Sequence, residues 1–446
     1  MPIRSPAGTP KRGLRQSLDG IIQPIGNDNR GGSSETAGKR DPPLPGKEKI
    51  MNPSEFLTPE IKKELVQFTQ ELVRIKSLSG QEGEIIKFIE KKMIALGYDE
   101  VRIDAMGNLL GRIGSGQKSI LFDSHVDTVE VTDEDKWDIP PFSGEVIEGR
   151  LHGRGSVDMK SGAAASIYAG AIAGKMAGSA GKTVYVSCTV FEEDCDGENL
   201  KHLFKEFNFR PGCVVICEPS ENKIAIGHKG KAQISIKTRG VSAHGSAPEK
   251  GVNAIYEMAK IIRRVEKANQ ELTKKAGLRS TLVMSKISST SASLNAVPSE
   301  CEAYLDRRMI PGESERDIRQ EMDEIIRGKK ATWEIGSLRR KSWTGMEITY
   351  QPFHLAWKID LDAELSKACI GAYQEVFGSD PDEFVFWDFS TNAVTPVSLG
   401  IPTIGFGPGE YKLAHMRNEN CAVNQILQAC AFYTALIGKI GPDSTG

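Results

Sequence analysis

The sequence predicts an α/β protein: a mixed sheet covered by helices, with a second, ferredoxin-like domain inserted into the first. Three observations carry this. Short apolar, β-rich runs alternate with helical patterns along most of the chain, as in a largely parallel or mixed sheet packed under helices. Residues 230–340 instead follow the order βαββαβ, the split βαβ pattern of ferredoxin-like domains. Finally, His125, the pair Glu192–Glu193 and Glu218 each stand just after an apolar run. Open α/β sheets keep their functional loops at such strand ends.

The elements follow in order. Thr58–Pro59–Glu60 opens a helix with an N-cap hydroxyl, a proline in the first turn and an early acid. Ile61, Leu65, Phe68, Leu72 and Ile75 then line one apolar face. Ser79 and Glu82 have the spacing of a capping box for a second helix, which Gly97 ends. Strands are predicted at Val101–Ile103, Leu109–Ile113, Ile120–Phe122, Thr183–Val190 and Cys213–Cys217, with helices near 159–176 and 197–206. In the inserted segment the order is strand Lys231–Thr238, helix Val252–Val265, strands Leu282–Ser288 and Glu300–Arg308, helix Ser314–Ile326 and strand Thr332–Ile335. Helices Asp362–Val376 and Val423–Ile437 close the chain.

At 446 residues the chain has room for two or three domains. Its net charge of −2 argues against nucleic acid or an anionic membrane surface as partner. No apolar run approaches the ~20 residues of a membrane span. The eight cysteines are scattered without a CxxC pair and read as reduced thiols, which points to the cytoplasm. Residues 1–50 hold seven Pro and eight Gly and no aromatic residue, and are expected to form a disordered N-terminal extension.

The chemistry lies in a spread set of His and carboxylates. In His125-x-Asp127, His can bind a metal through one ring nitrogen while an acceptor such as Asp127 fixes its tautomer; alone, the tripeptide equally suits a buried His satisfied by a turn Asp. Asp158, in a Gly-rich turn before a small-residue helix, can bridge two metals or cap the helix. Glu192 and Glu193 would repel unless cations compensate. A metal would hold Glu193 and leave Glu192 to move a proton; Asp194, Asp196 and Glu198 keep open a solvated acidic turn. Glu218, after a buried run, is costly unless it is a ligand. The loop Gly405-x-Gly407-Pro408-Gly409 carries His415 toward the site. A bridging carboxylate, with one further carboxylate and one His per metal, leaves a position for water, so the set reads as a two-metal amide hydrolase. Between the first inserted strand and its helix, His244 can hydrogen-bond a substrate carbonyl or simply pack locally. Arg307–Arg308 ends an inserted strand; an Arg fork suits a substrate carboxylate, and Arg307 is assigned to a surface salt bridge.

Together these residues resemble the M20 metallopeptidase/deacylase family over about residues 54–440. That family includes acetylornithine deacetylases, succinyl-diaminopimelate desuccinylases, aminoacylases and glutamate carboxypeptidases. The segments Glu192–Gly197, Ser342–Gly345, Phe389–Asn392 and Gly405–Glu419 are most similar to its subgroup of hydrolases linked to selenium metabolism. The resemblance implies a dizinc exopeptidase-type catalytic domain (51–229 and 341–446) carrying a lid and dimerisation domain (230–340). It implies one metal on His125, Asp158 and Glu218 and another on Asp158, Glu193 and His415. Zinc is expected, with cobalt or manganese also suited. Asp127 would orient His125, Glu192 would be the general base for a metal-activated water, and Asn295 and Arg308 would contact substrate. A cis peptide is implied between Asp158 and Met159, and a homodimer through the lid that brings His244 to the neighbouring subunit. Ser161 and Asn392 depart from the family pattern; Asn392 stands where many members have Asp.

The expected substrate is thus a small N-acyl amino acid or peptide. Within that class a dipeptidase or carboxypeptidase is the alternative to a deacylase. Outside it stand a catalytically silent metal- or amino-acid-binding relative and a two-metal phosphoesterase, which would need a basic pocket.

Overall fold

A computed structural model describes residues 57–176, 181–274 and 276–440. The expected extension, residues 1–50, lies outside the described residues. A nine-stranded mixed sheet runs in the order Glu100–Ile103, Leu109–Ile113, Lys182–Thr189, Lys118–His125, Cys213–Ile216, Thr403–Gly405, Ala225–His228 and Trp357–Lys358, with Val385–Trp387 joined to Ala225–His228. Its centre is parallel: Lys118–His125 lies between Lys182–Thr189 and Cys213–Ile216, and Thr403–Gly405 extends the parallel block. These central strands are apolar and buried on both faces, as parallel sheets require.

The first helix, Pro59–Arg74, is capped by Thr58 Oγ1, which accepts from the Ile61 N–H (3.3 Å), and buries Leu65, Phe68 and Leu72. The helix Lys160–Ala173 is buried along its whole length. Its small residues let it run against the sheet and the closing helix Val423–Lys439. A Cβ on Gly162 would lie 2.4 Å from the carbonyl oxygen of Cys217, so only glycine lets this helix approach the backbone that carries Glu218. The capping box predicted at Ser79–Glu82 does not form. The second helix is Gly83–Leu96 with no side-chain cap, because both residues are drawn to the loops that follow neighbouring strands. Gly97 does end it, in the left-handed conformation.

The βαββαβ order of the inserted segment is present as Gly230–Arg239, Ala254–Thr273, Thr281–Thr290, Glu300–Met309, Glu315–Ile326 and Ala331–Ile335. Ser314 and Asp317 form a true capping box. The four strands pair antiparallel in the order Thr281–Thr290, Glu300–Met309, Gly230–Arg239, Ala331–Ile335 over their own core of Ile234, Ile236, Met258, Ile261, Leu305 and Met322. The sheet also recruits Phe353–His354, beyond residue 340. Among the described residues no helix is long and apolar enough to cross a membrane.

Candidate metal centre

The parallel strands deliver the site. His125 ends Lys118–His125; Glu192 and Glu193 open a four-residue helix just after Lys182–Thr189; Glu218 follows Cys213–Ile216. The loop after Thr403–Gly405 brings His415. A Cβ on Gly407 would lie 2.3 Å from the Cys217 carbonyl and 2.4 Å from that of Glu218, so a second glycine closes on the same backbone. Asp158 precedes the buried helix across a cis peptide to Met159. The helix begins at Lys160 with no side-chain cap, so capping is not the task of Asp158.

Two groups result, joined through one residue. His125, Asp158 and Glu218 offer ligand atoms within 4.8 Å of one another, and so do Asp158, Glu193 and His415. His125 Nε2 is 2.9 Å from Asp158 Oδ1 and 3.6 Å from Glu218. His415 Nε2 is 3.0 Å from Glu193 Oε1 and 3.1 Å from Asp158 Oδ2. Asp127 meets His125 Nδ1 with its backbone carbonyl at 3.0 Å and with its carboxylate at 3.5 Å. That carboxylate also accepts the N–H groups of Glu192 and Glu193 and the hydroxyl of Ser79.

The electrostatics fit a cation pair. Burial, then the charge of Asp158, pushes the carboxyls of Glu218 and Glu193 up, and burial with Glu218 and Asp196 does the same to Glu192. Burial would lower both imidazoles, yet bonds to Asp127 and Asp158 hold His125 well above its ordinary range, and Asp158 and Glu193 hold His415 up at about 11. So many buried carboxylates leave an excess of negative charge that two divalent ions would offset, and ions invert this local logic.

Acids that invited the solvated-turn reading divide their tasks. Glu192 and Glu193 face the metal groups, whereas Asp194 pairs with Arg340 (2.7 Å) and buried Asp196 with Lys231 (2.8 Å) and the Tyr350 hydroxyl (2.8 Å). Lys231, which the sequence alone did not single out, stands directly across the lid strands from Arg308. Both line a cavity of about 300 Å³ that also opens on Asp158, Glu192, Glu193 and His415. Arg308 is gripped on one edge by Asp306 at 2.7 and 3.1 Å. Pairing the two strands is what sets Lys231 opposite Arg308. Arg307 is buried rather than at the surface, because Glu313 and Glu321 both hold it. His244 and Asn295 are exposed neighbours in the lid, where Gly245 N–H donates to the Asn295 carbonyl, and neither lines this cavity.

Two buried polar residues support the loops from behind. Asn392 donates to Asp123 (2.9 Å) and accepts from the Gly197 N–H (2.8 Å). An ionised aspartate there could accept but not donate, so the amide is what makes both bonds at once. Glu82 Oε1 accepts from the N–H groups of Gly80 (2.8 Å) and Phe191 (3.2 Å). Burial and then the Asp127 charge push its carboxyl up to about 8. Its protonated form therefore contributes stability that is full below the usual carboxylate range near 4.5 and is lost as the pH rises through about 8. Glu82→Gln keeps the acceptor and removes the titration. Each pH unit separating the folded and unfolded carboxyl is worth roughly 1.4 kcal/mol, so the variant should gain a few kcal/mol on wild type between pH 5 and 9. Urea unfolding at both pH values measures it; parallel curves for the two proteins would refute it.

Comparison with known proteins places the chain among relatives. The profile of the family described as peptidase family M20/M25/M40 matches residues 121–439. An uncharacterized Escherichia coli protein, YgeY, is 35% identical over 379 residues, covering 84% of this chain and 93% of its own. A succinyl-diaminopimelate desuccinylase of Cereibacter sphaeroides is 26% identical over 390 residues, covering 83% and 97%. The structure of the YXEP protein of Bacillus subtilis, described as a dinuclear metal binding peptidase, has a similar fold (TM-score 0.63, 13% identity, 85% of this chain and 98% of that one).

Proposed function

The chain belongs to peptidase family M20/M25/M40, a family of amide-bond hydrolases, and we propose that it uses two metal ions to release the amine from an N-acyl amino acid or small peptide. The observation that carries this is the pair of three-residue ligand groups sharing Asp158 beside a cavity lined by the free carboxylate of Glu192. His125, Asp158 and Glu218 would hold one ion, and Asp158, Glu193 and His415 the other. Zinc suits the donors best, with cobalt and manganese as alternatives. When bound, the ions supply Lewis acidity and make water at the site more acidic. Glu192 takes the proton of that water and returns it to the leaving nitrogen. Asp127 fixes the N–H groups of Glu192 and Glu193 and, through its carbonyl, the tautomer of His125.

Arg308 would hold a substrate carboxylate. His244 and Asn295 would act across a lid-mediated homodimer; the exposed apolar residues Val283 and Ile287 on the lid's edge strand support such a face. A cytoplasmic place is supported by eight cysteines that are all free and buried.

Free-amine release from N-acetyl, N-succinyl and N-formyl amino acids and from dipeptides, with and without zinc, tests the proposal. Zinc-dependent release from one class is expected, and which class responds separates deacylase from dipeptidase or carboxypeptidase. Silence across the panel with zinc verified as bound would favour a binding-only relative.

A further inference from the structure

Two buried charged residues beside the metal groups belong to neither. Arg154 is 4% exposed and Glu419 fully buried. Glu419 Oε1 accepts two backbone N–H groups, from Val157 (2.9 Å) and from Asp158 (3.2 Å). Its Oε2 accepts from Arg154 Nη1. Arg154 then donates onward: Nη2 to the carbonyl of His415 (3.2 Å) and Nη1 to that of Met416 (3.4 Å). A single ion pair therefore ties the backbone of Asp158 to the backbone of His415. His415 needs such a hold, because its φ of +61° lies in the left-handed region that a non-glycine residue seldom adopts.

The two ligand groups depend on this tie unequally. His125 and Glu218 are placed by the sheet. One ends a paired strand, and the other follows Cys217, whose N–H donates to the Asp123 carbonyl (2.9 Å). Glu193 is held by its own N–H to Asp127. His415 sits outside the sheet, on a loop of left-handed and turn residues, and is half exposed. Its place relative to Asp158 is set across the Arg154–Glu419 pair.

We propose that Arg154 and Glu419 are positioning residues for the second metal site, the one made by Asp158, Glu193 and His415, and that the first site stands largely without them. This rests on the two-metal reading above. A guanidinium can reach a carboxylate and two carbonyls at once, which a lysine ammonium on its flexible stem does not reproduce. Outer-shell partners of metal ligands typically carry about 10–100-fold in metal affinity.

The test is titration of the metal-free full chain with Co²⁺, followed by its visible absorption and by calorimetry, in wild type, Arg154→Lys and the double variant Arg154→Met/Glu419→Gln. The lysine keeps the charge opposite Glu419. The double variant removes both members of the pair together, and buried Lys160, which also faces Glu419, keeps the Asp127 charge and its bond to the Ile75 carbonyl (2.7 Å). Wild type should bind two ions. In both variants one ion should bind as in wild type and the other at least tenfold more weakly. Arg307→Lys, in the buried lid pair with Glu313 and Glu321, is the control for losing an ion pair as such and should leave both phases unchanged. Wild type taking fewer than two ions would defeat the two-metal reading itself. Two ions in wild type with both phases unchanged in the variants, or both phases weakened equally, would overturn the positioning role.

Discussion

Glu192→Gln should lower kcat by about 10²–10⁴-fold, the usual share of a general acid–base group, while the protein still binds two ions. Glutamine keeps the size of the side chain but cannot take up a proton. Glu192 is buried, lines the cavity and stands 3.9 Å from His125 Nε2, farther than Asp158 or Glu218. It is therefore the acid of the cluster left over once both ligand groups are complete. Because the working form is the carboxylate, kcat/KM should also fall on the acid side of the profile in wild type and lose that limb in the variant. Metal content by mass spectrometry beside free-amine release separates the cases. Turnover near the wild-type rate would remove Glu192 from the base role; loss of metal would make it a ligand.

Chelation should abolish activity and lower the Tm by several degrees. Glu192, Glu193 and Glu218 have their carboxyls pushed up by burial and by neighbouring carboxylates, Asp158 first for Glu193 and Glu218, while His125 and His415 are held above their ordinary range. Ions bound only by the folded chain stabilise it by about 4 kcal/mol each at a thousandfold excess over Kd, and at about 2.1 cal/mol/K of unfolding entropy per residue each kcal/mol moves the Tm of a chain this long by about 1–2 °C. Activity and Tm should both return on adding zinc, and comparison with cobalt and manganese identifies the ion that restores most. A chain whose Tm and activity ignore a strong chelator would contradict the metal centre.

Much of this was legible in the residues. The apolar runs placed Lys182–Thr189 and Cys213–Ile216 within a residue and caught only the middle of Lys118–His125, while the three-residue strand Thr403–Gly405 went unread, because a short buried run carries no periodicity of its own to mark its ends. The order βαββαβ was equally plain. Local signals failed where distant partners won. Ser79 and Glu82 had the spacing of a cap, but Asp127 and the Phe191 N–H were stronger partners. Arg307 looked like a surface charge until Glu313 and Glu321 closed on it. The liaisons of Asp194 and Asp196 with Arg340 and Lys231 cross 146 and 35 residues of sequence. Spacing within a short run holds no trace of such pairings.

That last liaison limits how the protein can be recombined. In a chimera, the segment 230–340 taken from a relative must bring a cation at position 231, or Asp196, three residues after Glu193, stays buried without the ion pair that Lys231 gives it. Exchanging this segment is therefore not modular: the donor's first strand has to be chosen for the acidic run it will meet.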